Sequence, residues 1–233
     1  MKKFLSVLLA FAMLVSLAAF AEEAPTVYVS ISDDTGTLTL AYAPVALSDQ
    51  DGDGALTICD ALMEAHAAYY PDGAAGFLAE ESQWGLSMYR LWGVENGGSY
   101  GYCVNDASAM SLVDPIQPGD HIKAYAFTDL TNYSDTYAYF TAPVATGARL
   151  AAAAVNSEVA LTLSASGYDA NWAPITLPVV GAALTVNGEK TEVTTDENGN
   201  AVLNFTAPGV YTVSAVSETM TLVPPVCIVT VTE

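Results

Sequence analysis

Residues 26–42 read TVYVSISDDTGTLTLAY. Val27, Val29 and Ile31 alternate with Tyr28, Ser30 and Ser32, and a period of two marks a half-buried strand. Asp33-Asp34-Thr35-Gly36 supplies turn chemistry, and Thr37 to Tyr42 returns with the same alternation until Pro44. This stretch predicts a β-hairpin. Toward the C-terminus the period changes. Ile58, Leu62, Ala65 and Tyr69 fall at i, i+4, i+7 and i+11, one apolar stripe of a helix, and Pro71-Asp72-Gly73 stops it. Residues 73–83 read as a loop. Strands follow at 86–92 and 99–104 around Glu95-Asn96-Gly97-Gly98, then at 122–127 and 137–140. The expected class for this part is α+β.

The remainder has no helical period. Short alternating runs recur at 159–163, 184–186, 202–205, 210–215 and 227–231. Asn187-Gly188, Glu197 to Asn200 and Pro208-Gly209 separate several of them, a pattern that predicts a β-sandwich. Ala151 to Ala154 fits least, because alanine is a weak strand former. The expected organisation is a signal peptide over 1–21, an α+β domain over 22–143, a linker over 144–148 and an all-β sandwich over 149–233.

The strongest chemical signal lies between hairpin and helix, in Asp49-Gln50-Asp51-Gly52-Asp53-Gly54-Ala55-Leu56-Thr57-Ile58-Cys59-Asp60. Calcium is a hard cation that takes six to eight oxygens, and a twelve-residue loop supplies them from positions 1, 3, 5, 7, 9 and 12, with glycine at 6. Asp49, Asp51 and Asp53 fill the first three positions. Gly54 takes the turn, Ala55 offers its carbonyl, Thr57 a hydroxyl or a water, and Asp60 closes the loop. An acidic helix start is favourable without any metal. Four carboxylates in one loop nevertheless repel each other unless a cation sits among them. The expected cofactor is Ca2+, bound weakly at about 10⁻⁴–10⁻³ M as in extracellular modules, and in a structural role. This run resembles the calcium loop of EF-hands, and the Asp at its last position makes it similar to the dockerin loop. The loop is single and a strand precedes it, so the resemblance implies no cohesin partner.

The chain opens Met1-Lys2-Lys3. An apolar run from Phe4 to Phe20 follows, ending Ala19-Phe20-Ala21 before Glu22. A basic start, an apolar middle and small residues at −3 and −1 read as a secretory signal peptide, and the run is shorter than the roughly 20 residues of a spanning helix. Cleavage leaves Arg90, Lys123, Arg149 and Lys190 as the only basic residues against 26 acidic ones. A chain so acidic is a poor partner for nucleic acid or anionic lipid, which need clustered cations. The expectation is a secreted protein with no membrane insertion after cleavage. Cys59, Cys103 and Cys227 form no metal spacing; a Cys59–Cys103 bridge and isolated buried thiols both fit.

Three further segments carry a resemblance across 26–140: Thr57 to His66, Gly98 to Asp106, and Pro118-Gly119-Asp120-His121-Ile122. They resemble the transcobalamin-like C-terminal domain of exported Gram-positive proteins, which implies a β-grasp-like fold with one main helix. Asn105-Asp106 stands where that family has Asn-Gly. Residues 195–201 and 209–215 are similar to bacterial immunoglobulin-like modules, which implies a spacer or binding role.

No Gly-x-Ser-x-Gly elbow, His-Glu-x-x-His or phosphate loop occurs, and His66 and His121 read as surface or packing residues. The expectation is a protein that is not an enzyme, a surface or matrix module for a glycan or another protein. A small-molecule carrier of cobalamin type is the alternative, and a hydrolase using paired carboxylates such as Glu80 and Glu81 ranks below both. Trp84, Trp92, Tyr100, Tyr102 and Tyr133 are the candidate glycan platforms.

Overall fold

A computed structural model describes residues 24–142 and 149–233. The expected signal peptide and linker lie outside the described residues. The first sheet holds β1 (Thr26–Ser32), β2 (Leu38–Ala46), β5 (Tyr100–Val104), β6 (Ala107–Ser108) and β7 (His121–Ala126). Its order is β2-β1-β7-β5-β6, with β1 and β7 parallel and the other neighbours antiparallel. Val27, Val29 and Ile31 project to one face of β1, where Ile58, Leu62 and Ala65 of helix α1 (Ile58–Tyr69) cover them. The apolar stripe read from the sequence is this contact, except at Tyr69. That ring is largely exposed, and its hydroxyl reaches back to the Pro44 carbonyl at 2.6 Å.

The β1–β2 hairpin carries a bulge opposite Ser30. Tyr42 there adopts φ 45°, its N–H donates to Ser30 Oγ at 2.9 Å, and its ring stacks on Tyr28 at 4.3 Å. The strand β3 (Leu78–Ser82) pairs with β4 (Gly85–Arg90) as a separate hairpin. The stretch expected as loop over 73–83 is thus a 3-10 turn, Gly73–Gly76, followed by a strand.

Two further sheets make the second half. One runs β11 (Pro174–Pro178), β10 (Glu158–Tyr168), β8 (Thr136–Ala142) and β16 (Leu222–Val223), with β14 (Asn200–Asn204) also on β10. The other runs β13 (Glu189–Thr194), β12 (Ala183–Val186), β15 (Gly209–Val216), β17 (Cys227–Thr232) and β9 (Leu150–Ala154). Phe140, Leu161 and Leu163 of the first interlock with Leu184, Val213 and Val229 of the second, which makes a β-sandwich. The alanine run at 151–154 is its edge strand, with Ala151 and Ala153 packed on the core. Strand β8, expected with the first domain, pairs with β10 and β16.

The α+β, β-grasp-like class does not hold for this chain. Strand accounts for 50% of the described residues and helix for 8%, so the fold is mainly β. The helical stripe was real but short, and strand residues supply most of both cores.

Polar contacts tie the two halves. Lys123, 2% exposed, donates from Nζ to the Ala138 carbonyl at 3.0 Å and lies 4.5 Å over the Tyr137 ring. Arg149 is buried and ion-paired with Asp106, whose Oδ1 also accepts from the Tyr137 hydroxyl at 2.9 Å. Cys103 packs with Tyr137 and Val223, whereas Cys59, in the first turn of α1, packs in the core beneath the first sheet. These two thiols lie in different clusters and all three cysteines are free, which removes the Cys59–Cys103 bridge.

Candidate metal centre

Strand β2 ends at Ala46, and Leu47 is pinned by burial and by its N–H to the Pro25 carbonyl at 2.7 Å. The loop then swings outward until Leu56, whose carbonyl accepts from Ile116 N–H at 2.9 Å. Gly52 and Gly54 take φ 76° and 87°, a region closed to most side chains, although no neighbour would obstruct a Cβ at either position. Backbone curvature is what demands glycine in this turn.

Asp49 organises the turn. Its Oδ1 accepts from Gly52 N–H at 2.7 Å and from Asp53 N–H at 3.2 Å, and its Oδ2 accepts from Gly54 N–H at 2.8 Å. The Gly54 N–H is the chief cause that holds the Asp49 carboxyl below its ordinary value. Asp51 accepts from Asp53 N–H at 3.2 Å, and Asp53 from Ala55 N–H at 2.7 Å. The Asp51 carboxyl is nevertheless raised. The Asp53 N–H pulls it down, but desolvation, the charges of Asp53 and Asp60 and a hydrogen bond shared with Asp49 outweigh that pull. Asp49, Asp51 and Asp53 each bring a carboxylate oxygen within 4.8 Å of the others. Two oxygens on opposite sides of one calcium ion stand about 4.6–5.2 Å apart, so this spacing fits a single hard cation.

The other expected ligands sit differently. Ala55 is half-buried, with its N–H given to Asp53. Thr57 is the N-cap of α1 and Asp60 its third residue. Asp60 Oδ2 accepts from Thr57 N–H at 2.9 Å and from Thr57 Oγ1 at 2.7 Å, while Oδ1 accepts from Gln50 N–H at 2.8 Å. Both side chains are buried in this capping box. Asp60 therefore joins loop to helix, with its oxygens already engaged, and stands behind the three exposed carboxylates. Glu64, one turn further along α1, accepts from the Gln50 side chain at 2.7 Å and from Ser48.

The two histidines are packing residues. His66 is fully buried, bonded at Nδ1 to the Leu62 carbonyl at 2.6 Å, and its Nε2 accepts from Trp92 N–H at 2.9 Å. Burial depresses its pKa to about 4. His121 shares a hydrogen bond with Ser30 at 2.8 Å, and burial depresses it to about 3.

Of the five candidate glycan platforms, Trp84 (86% exposed, at the β3–β4 tip) and Tyr133 face solvent. Trp92 packs on His66, the Tyr100 hydroxyl is engaged by Tyr89 and Val94 carbonyls, and Tyr102 borders the core. Sequence reasoning passed over Trp172, 82% exposed, and Tyr168 beside it at 6.2 Å on the β10–β11 turn. Asp-Ala-Asn between them was the available turn signal.

No protein-family model matches this sequence, and no curated protein is similar to it. Among solved structures, the chain is similar to the N-terminal four Ig domains of Dscam1 isoform 7.44, at 8% identity, TM-score 0.24, over 92% of this chain and 45% of that one. It is also similar to the Bacteroides ovatus mixed-linkage glucan utilization locus protein SGBP-B, solved with a mixed-linkage heptasaccharide, at 14% identity, TM-score 0.22, over 67% of this chain and 35% of that one. The chain thus spans less than half the length of either, and such scores define no common arrangement of the whole chain.

Proposed function

We propose that this chain is an exported, non-catalytic module, immunoglobulin-like in its second half, that binds a glycan or a surface protein and uses calcium as a structural ion. Asp49, Asp51 and Asp53 would hold the ion, with the Ala55 carbonyl and water as further oxygens. The ion supplies positive charge where three carboxylates meet. The observation that carries the reading is their convergence within 4.8 Å at a junction whose next residues cap a core helix. Cation binding there restrains the connection between β2 and α1. Among the described residues no helix is long and apolar enough to cross a membrane.

The test is thermal unfolding of the mature chain in EDTA and in 10 mM calcium, for the wild type and Asp51→Ala. Ligand that binds only the native state stabilises it by RT ln(1 + [L]/Kd). For a Kd of about 10⁻⁴–10⁻³ M the midpoint rises by roughly 3–10 °C in a chain of this size. Asp51→Ala abolishes the rise. Equal midpoints in EDTA and calcium for the wild type refute the metal site.

A further inference from the structure

A cleft lies away from the acidic loop. It has a volume of about 890 Å³ and runs between the β2 edge of the first sheet and the outer face of the β12–β15 pair. This size falls in the range of small-molecule sites, roughly 300–1,000 Å³. Its walls follow from strand alternation. Leu184, Val213 and Ala215 point into the sandwich core, so Thr185, Thr212 and Ser214 point outward into the cleft. Thr37, just before β2, and Thr39, on β2, line the opposite wall; the Thr37 hydroxyl is shared with Thr35 and the Thr39 hydroxyl donates to the Ile31 carbonyl at 3.1 Å. Leu38 and Met220 supply apolar surface between the hydroxyls.

Thr185 and Ser214 are register partners on adjacent strands, 7% and 8% exposed. Among the described residues neither hydroxyl has a protein hydrogen-bond partner, although each lines the cleft. The two residues are nearly buried, yet their hydroxyl oxygens stay open to the cleft, where a ligand can bond them. Glu218 is the only ionisable residue in the lining, and it is engaged by Lys190 at 3.1 Å. The cleft thus offers no cation to an anionic ligand and no unpaired carboxylate to a cationic one. Each threonine or serine hydroxyl both donates and accepts, as each sugar hydroxyl does. Strand β2 is also a sheet edge, with outward backbone groups beside these hydroxyls.

We infer that this cleft is the binding site of a neutral oligosaccharide, with Thr185 and Ser214 as its inner hydrogen-bonding pair. The inference deepens the binding-module reading above, on which it rests, and does not depend on calcium at the acidic loop. An extended peptide added to the β2 edge is the competing occupant. The exposed Tyr168–Trp172 pair is the competing sugar surface.

Calorimetric titration decides among these. The mature chain is titrated with cellohexaose, maltohexaose, xylohexaose and mannohexaose, with a hexagalacturonate as the anionic control and a capped valine/threonine-rich decapeptide as the strand probe. At least one neutral hexasaccharide binds and the hexagalacturonate does not. Thr185→Val with Ser214→Ala, a pair that keeps shape and strand propensity, weakens that binding at least tenfold with an unchanged melting curve. Thr39→Val lies on the opposite wall and weakens it several-fold, while Trp172→Ala leaves it unchanged. Sugar binding that survives the Thr185/Ser214 pair, or falls with Trp172→Ala instead, overturns the cleft and leaves the binding-module reading standing. Binding of the decapeptide alone overturns the sugar and also keeps that reading. No binding by any probe overturns this inference, and the module reading then stands only on a folded protein partner.

Discussion

Lys123→Met tests the join between the two halves through the pH dependence of stability. Lys123 is enclosed by Tyr137, Cys103, His121 and the Ala138 carbonyl, and among the described residues no carboxylate is bonded to it. Burial lowers its pKa from 10.5 to about 7, while Cys103 pulls it slightly back up. The native state therefore holds fewer protons than the unfolded chain between pH 7 and 10.5, so stability rises with pH across that window. Below pH 7 both states are protonated and the full penalty applies. At 1.36 kcal/mol per unit the whole window is worth about 5 kcal/mol, and the part between pH 7 and 9 about 2 kcal/mol. Methionine has similar length and no charge, so it removes this slope while keeping the volume. Urea unfolding of both proteins at pH 6, 7, 8 and 9 under reducing conditions compares them directly. With a slope near 2 kcal/mol per molar urea, the wild-type midpoint gains roughly 1 M on the variant from pH 7 to 9. At pH 6 the variant is the more stable protein. A midpoint difference that stays flat across this range would show that Lys123 titrates normally and that the halves do not seal around it.

Arg149→Met leaves the Asp106 carboxylate without its cation at the same join and costs about 3–5 kcal/mol in chemical denaturation. A second change, Asp106→Asn, recovers part of this, since Asn tolerates the φ of 67° at that position. Asp60→Ala removes the acceptor for Thr57 and Gln50 at the helix start and lowers stability by about 2–3 kcal/mol with or without calcium, which separates it from Asp51→Ala. His66 has its pKa depressed to about 4, so the stability it contributes is present above pH 6.5 and is lost as pH falls toward 4. His66→Gln shifts the acid-unfolding midpoint downward; an unmoved midpoint would show that another group triggers acid unfolding. Protons compete with calcium for the Asp51 carboxyl, which is raised above its ordinary value, so the calcium-induced rise in melting temperature shrinks as pH is lowered, measured in the same unfolding series.

What the sequence displayed was whatever a single segment decides for itself. The alternation at 26–42 gave β1 and the first part of β2, which runs on through Pro44 to Ala46 because a sheet-edge strand tolerates proline, and the stripe from Ile58 gave α1 to within a residue. The aspartate spacing likewise brought Asp49, Asp51 and Asp53 together, since three residues of a tight glycine turn have few other places to go. Asp60 lay within the same spacing, yet it is also three residues past Thr57, the interval of a capping box, and the helix start claimed it. Partner choice was the part that local pattern withheld. Tyr137 to Phe140 alternates equally well for either half, and its place beside β10 is set by the sandwich core that Phe140 fills. Lys123 sits in a run that reads as an ordinary half-buried strand. Only the packing of β8 across its outer face turns a surface lysine into a buried one. The same closure raises a cleft between Thr37 and Ser214, far apart in the chain and each unremarkable as a strand residue. The features that give this molecule its chemistry beyond the acidic loop therefore belong to the meeting of its two halves, and a change that loosens that meeting would disturb the cleft and the buried lysine together.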